Sequence, residues 1–127
     1  MNPQYDLAAA QAHFRARIAY TTGVHELEGM IQANRDAIIV VDLRLQSDYA
    51  RGHVPGAVNL PKGKWHTAKG LRRGATHYLY CYDQTCHLAA EAAIELTAQG
   101  FHVVEVEGGW AGWEAKGFRA EPELAAA

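Results

Sequence analysis

The spacing of apolar positions changes several times along the chain. From residue 4 to 18, Leu7, Ala10, Phe14 and Ile18 recur at three- and four-residue steps, which predicts a helix with one apolar face. Such a helix packs on its own domain or on a partner, and it would support a dimer. Tyr20-Thr21-Thr22-Gly23 breaks the pattern. Val24, Leu27 and Ile31 then predict a second helix with Thr22 as N-cap, ended by the turn chemistry of Asn34-Arg35-Asp36. AIIVVDL (37–43), YLYC (78–81) and HVVEV (102–106) are short, nearly continuous apolar runs, as in strands buried on both faces of a parallel sheet. Between the last two lies an alanine-rich helix from about His87 to Gln99, with Gly100 as its C′ residue. Strand, helix and strand joined by short connections make a right-handed βαβ unit, so the class is α/β with a mostly parallel sheet.

Composition narrows the picture. The chain has 127 residues, 49% hydrophobic and 20% charged, enough for one compact core. A formal net charge of −2 offers no electrostatic case for nucleic acid or an anionic membrane as partner. No run has the length and apolarity of a membrane span. The start MNPQYDLAAA has no basic segment followed by an apolar one, so a cytoplasmic location is expected. Two cysteines are too few for a disulfide framework and lack the paired spacing of a structural zinc site; no metal is expected.

The chemistry centres on Cys81, where a buried strand ends and a loop leads into a helix. Ligands of open α/β sheets bind at this carboxyl edge. Amides of a helix N-terminus and of a tightly wrapped loop favour a thiolate there, so a depressed thiol pKa is expected. The alternative is a small buried core residue of no chemical consequence.

Three further stretches bear on that choice. Asp42-Leu43-Arg44 is followed by Asp48-Tyr49-Ala50-Arg51-Gly52-His53-Val54-Pro55-Gly56-Ala57-Val58-Asn59. Tyr80-Cys81 precedes a short loop and the alanine-rich helix. Gly108-Gly109-Trp110-Ala111-Gly112-Trp113 lies near the end. In order and spacing, over about residues 20 to 118, they resemble the rhodanese-like sulfurtransferases. The first segment is similar to D-x-R … Y-x-x-G-H-I-P-G-A-x-N, the last to G-G-x-x-x-W. Read locally, Asp42, Arg44 and Asp48 are charges beside buried strands that pair with one another or cap loop amides. His53 has the same structural reading, and the two tryptophans read as packing.

The resemblance implies a five-stranded parallel sheet flanked by helices, here with an N-terminal helical extension (1–19), the domain proper (20–118) and a C-terminal tail (119–127). It implies that Cys81 is the nucleophile, taking a sulfane sulfur from a small donor or a protein persulfide and passing it to a thiophilic acceptor, with no metal or organic cofactor. The amides of Tyr82, Asp83, Gln84, Thr85, Cys86 and His87 would cradle the terminal sulfur.

The loop departs from many active members, which carry a glycine and an arginine within it and a serine at the helix start. Cys86 stands at the arginine position and His87 at the serine position. With Asp83 and no cation in the loop, thiosulfate, a dianion, is expected to be a poor donor and a persulfide a better one. Lys62, Lys64, Lys69, Arg72 and Arg73 form a solvated loop or a patch that steers substrate. His87 either pairs with the Cys81 sulfur or faces solvent, and Thr85 offers a hydroxyl instead. Cys86 is a buried structural thiol or a resolving one, the latter making a thiol–disulfide redox protein. A cysteine phosphatase would need a cation for phosphate, and none occurs from Tyr82 to Gln99. A non-enzymatic binding or regulatory module on the same scaffold is the other competing reading.

Overall fold

A computed structural model describes residues 4–122. Five strands run in one parallel sheet of order β1-β5-β4-β2-β3, formed by β1 (Thr21–Gly23), β2 (Ile39–Asp42), β3 (Val58–Asn59), β4 (Thr76–Tyr80) and β5 (His102–Glu107). The helices are α1 (Leu7–Tyr20), α2 (Val24–Asn34), α3 (Gln46–Arg51), α4 (Leu88–Ala98) and α5 (Gly109–Ala115). Among the described residues no helix is long and apolar enough to cross a membrane.

The three strands read from apolar runs occur, trimmed to the residues whose backbones pair. Ile39 to Asp42 lie opposite His77 to Tyr80, and Thr76 to Leu79 opposite His102 to Glu105. Their alternate side chains feed two cores. Val41, Leu79 and Leu43 pack with Ala89, Ala92 and Leu96 of α4 on one face. Val40, Tyr80 and Val106 pack with Val24 and Leu27 of α2 and Trp113 of α5 on the other. The α4 terminus is as its sequence predicts. Gly100 has φ +93°, its amide donates to the Thr97 carbonyl, and the Phe101 amide donates to the Leu96 carbonyl.

The N-terminal segment differs from expectation in two places. The break at Thr21–Gly23 is an edge strand, paired with Glu105 to Glu107 of β5. Thr22 is therefore held in the sheet, and Gly23, not Thr22, is the N-cap of α2. Helix α1 starts at Leu7 because Asp6 caps it, its Oδ1 accepting from the Ala9 amide at 3.0 Å. No residue of α1 is buried, and Leu7, Phe14 and Ile18 of its apolar face stand exposed. At the other end, the segment expected as a tail begins in contact with the domain. Glu121 exchanges backbone hydrogen bonds with His53, and its carboxylate accepts from the Gly56 amide at 2.7 Å and from Arg35. Residues 123–127 of that tail lie outside the described residues.

Candidate active site

Polar chemistry gathers at the carboxyl edge of the sheet in two places. Behind β2, Asp42 and Arg44 are almost wholly buried and form a two-point ion pair, with Arg44 Nη2 to Asp42 Oδ2 at 2.8 Å and Nε to Oδ1 at 3.1 Å. The Tyr80 hydroxyl donates to Asp42 Oδ2 at 2.5 Å, and Arg44 also donates to the Gly52 carbonyl and lies 4.5 Å above the Trp110 ring. Burial and then Asp42 push the Tyr80 phenol far above its usual range, leaving it a neutral donor. The Asp42–Arg44 pairing expected from sequence is present. Asp48 instead bonds Arg51 and accepts from the Tyr82 hydroxyl at 2.6 Å. His53 stacks on Tyr49 and bonds its carbonyl, a structural placement.

The second place is the end of β4. Cys81 lines a pocket of about 260 Å³ together with Arg17, Asp83, Gln84, Cys86, Glu105 and Glu107. The loop is held from below by the first turn of α5, entered through Gly108 and Gly109. The Trp110 and Ala111 amides donate to the Cys81 and Tyr82 carbonyls at 2.8 and 2.9 Å. Gly109, at φ +58°, permits this approach; a Cβ there would meet the Cys81 carbonyl oxygen at 2.8 Å and the Asp83 nitrogen at 2.9 Å. From the side, the Tyr82 hydroxyl accepts from the Leu45 amide while bonding Asp48.

The predicted loop residues divide. Asp83, Gln84 and Cys86 share the pocket with Cys81. Tyr82 anchors the loop and turns its amide to the Cys81 sulfur. The Thr85 amide and hydroxyl both donate to Asp83 Oδ1 at 3.0 Å, and the Cys86 amide donates to the Asp83 carbonyl at 3.3 Å. In this conformation the amides of Thr85 and Cys86 satisfy Asp83, and those that meet the sulfur are Tyr82 and Ala89. His87 is exposed at the N-cap of α4, with no capping bond from its side chain. Lys62 pairs with Glu91, and Arg73 donates to the Gln99 carbonyl; none of the five basic residues of residues 62–73 lines the pocket.

The expected thiolate is corrected. Cys81 is 3% exposed and its Sγ donates to the Cys86 carbonyl at 3.7 Å. Burial, then the neighbouring Cys86, push the thiol up to about 12; the Ala89 and Tyr82 amides oppose this and are outweighed. Desolvation costs the anion more than two amides return. In this conformation the sulfur is stored as a thiol at the edge of a pocket.

Arg17, Glu105, Glu107 and Ala89 escaped the sequence reading. Glu107 bridges the mouth, accepting from Arg17 at 3.3 Å and from Gln84 Nε2 at 3.0 Å. Burial and Glu107 push the Glu105 carboxyl up. Two acids at alternate positions of a buried strand, on one face of the sheet, are a signal for Glu105 and Glu107. No local pattern signals Arg17, which arrives from another element. Among the described residues, no three His, Cys, Asp or Glu side chains gather as a metal site would require.

Comparison with known proteins matches the profile of the rhodanese-like domain to residues 23–116. No curated protein matches. The protein BH2092 of Bacillus halodurans has a similar structure, with TM-score 0.83, 30% identity, and 91% of this chain and 86% of that one covered. The rhodanese-like domain of Anabaena sp. Alr3790 aligns with TM-score 0.70 and 27% identity over 84% and 86% of the two chains. A thiosulfate sulfurtransferase of Pseudomonas aeruginosa shares the fold, with TM-score 0.68 and 24% identity over 84% of this chain and 20% of that larger one.

Proposed function

This chain belongs to the rhodanese-like domain family, and on that footing we propose that it is a sulfurtransferase carrying sulfane sulfur on Cys81. The observation that carries the reading is the placement of a free cysteine at the carboxyl end of β4, lining a pocket shared with Asp83, Gln84 and Cys86. Cys81 sulfur, after losing its proton, attacks the terminal sulfur of a donor R–S–SH. The new S–S bond forms as the donor's own S–S bond breaks, and the proton passes to the departing R–S⁻. The products are Cys81–S–SH and R–SH, with no net oxidation. An acceptor thiol then repeats the exchange and restores the Cys81 thiol.

The pocket charge selects the donor. Asp83, Glu105 and Glu107 face one guanidinium, Arg17, which is already paired with Glu107. A dianion meets net repulsion there, so a low-molecular-weight persulfide or a protein persulfide is the substrate class. Purified protein treated with glutathione persulfide gains one sulfur by mass spectrometry, and Cys81→Ser does not. Thiosulfate loads it about tenfold more slowly or worse. Absence of sulfur uptake from every donor would favour a binding module instead. A second reading rests on the contact of Cys81 with the Cys86 carbonyl: a dithiol redox centre, which requires Cys86→Ser to stop turnover as completely as Cys81→Ser.

A further inference from the structure

Two apolar surfaces of this chain face solvent, and their charges are of opposite sign. One is α1. Leu7 is 78% exposed, Phe14 53% and Ile18 81%, on a helix tied to the domain near its last turn by Arg17 and Glu107. An isolated helix of this length is marginal in water without tertiary support. The other is a groove of about 960 Å³ between α4 and β5, floored by Val103 and Val104, walled by Ala93 and Ile94, and bounded at one end by Ala19 and Tyr20 where α1 leaves the domain. Ile94 is 73% exposed on that wall. Small residues at helical spacing along α4 leave room for a second helix to approach closely.

We propose that α1 of a second copy of this chain occupies the groove, reciprocally, giving a twofold dimer by helix exchange. Charge supports that occupant. Arg17 pairs with Glu107 and Lys62 with Glu91 within the chain, which leaves Arg15 on a helix without acids to meet Glu95 of α4 and Glu105 of β5, two elements that carry neither lysine nor arginine. Length supports it too: 14 residues of α1 face 11 of α4. The junction decides between its own groove and another's. Tyr20 ends α1 and Thr21 begins β1, with no residue between, and the Thr21 amide and hydroxyl both donate to the Arg17 carbonyl. A helix running straight into a strand has no linker with which to fold back over its own α4 face. A copy related by a twofold axis needs none, and absent or short hinges favour such exchange. The symmetry makes the contact twice, contributing toward the roughly 1,600 Å² that stable interfaces bury.

Sedimentation velocity of the full chain across micromolar concentrations reads the assembly. The expected result is a dimer whose dissociation constant rises about tenfold or more in Ile18→Glu and, separately, in Ile94→Glu. Both side chains lie in solvent in the single chain, so circular dichroism and urea unfolding of the monomeric variants should show an intact domain. Benzoylphenylalanine placed at position 14, in a mixture of isotopically labelled and unlabelled protein, should cross-link to α4 peptides of the other copy. A monomer at all concentrations overturns the proposal. So does a dimer indifferent to Ile94→Glu, which would mean α1 paired with α1, or a cross-link confined within one chain.

Discussion

The carboxyl edge of the sheet holds two buried polar centres made by opposite rules. Around Asp42 and Arg44 every group is answered. The carboxylate accepts from a guanidinium, a phenol and the Arg44 amide, the guanidinium reaches a carbonyl and an indole face, and Asn59 Nδ2 donates to the Asp42 and Arg44 carbonyls. Among the described residues no buried side-chain nitrogen or oxygen lacks a partner. On the adjacent strand, Cys81 is just as inaccessible, yet its sulfur has one long contact to a carbonyl, two amides nearby and a cavity beside it. A saturated cluster fixes the ends of β2 and β4 and has no spare capacity for a ligand. An unsaturated one, held by backbone rather than by side chains, keeps room for a transferred atom.

The contrast can be broken first at the sulfur. Cys81→Ser should abolish sulfur loading while changing unfolding free energy by no more than about 1 kcal/mol, because a small side chain replaces another of similar volume. Mass spectrometry and urea melts on the same sample check both halves. Asp42→Ala should do the reverse. Stranding the buried Arg44 guanidinium costs about 3–5 kcal/mol of stability, measured by urea unfolding, while the fraction still folded keeps loading sulfur. Gly109→Ala tests the support beneath the loop. A Cβ at 2.8 Å from the Cys81 carbonyl, on a residue at φ +58°, should cost about 1–3 kcal/mol and slow loading, since the loop must shift.

The pH profile sharpens the same distinction. The Cys81 thiol is raised from an ordinary value of 9.0 to about 12, so its contribution to stability is complete below 9 and lost as pH rises toward 12. Alkylation of Cys81 by iodoacetamide should therefore keep accelerating above pH 9 without a plateau, and Cys81→Ser should lose less stability across that window. Buried His77 has the opposite sign. Burial lowers its pKa below 6.5, and its Nδ1 bonds the His102 carbonyl while Nε2 accepts from the Arg72 amide. Its stabilisation is present above pH 6.5 and is lost as pH falls through the depressed value; acid melts of wild type read it. The smallest effect is expected from Glu105→Gln, which removes one pocket carboxylate and should raise thiosulfate loading by about two- to fivefold with little change in persulfide loading.

Much of this was legible along the chain. The apolar runs of β2, β4 and β5 and the alanine-rich α4 are strong local patterns, and each appears with its ends set by backbone pairing. Edge strand β1 is three residues long and β3 two, too short for any period to register; Thr22 reads as a cap until its pairing with Val106 is known. Within the site, Cys81 was marked by its position at a strand end. Which amides reach its sulfur was not, because Asp83 competes for two of them through contacts of two or three residues that sequence spacing leaves undetermined.

The sequence by itself determined that the sheet is parallel, that a cysteine stands at its carboxyl edge, and that glycines permit turns on either side of Val54-Pro55. These follow from local rules: side-chain periodicity, the steric freedom of glycine and the fixed φ of proline. Only the tertiary structure decided that burial outweighs the nearby amides and raises the thiol pKa, that Arg17 comes from α1 to share a pocket with three carboxylates, and that α1 leaves its apolar face open. Each of those depends on desolvation or on charges brought together from distant parts of the chain, and both are properties of the surroundings that folding creates.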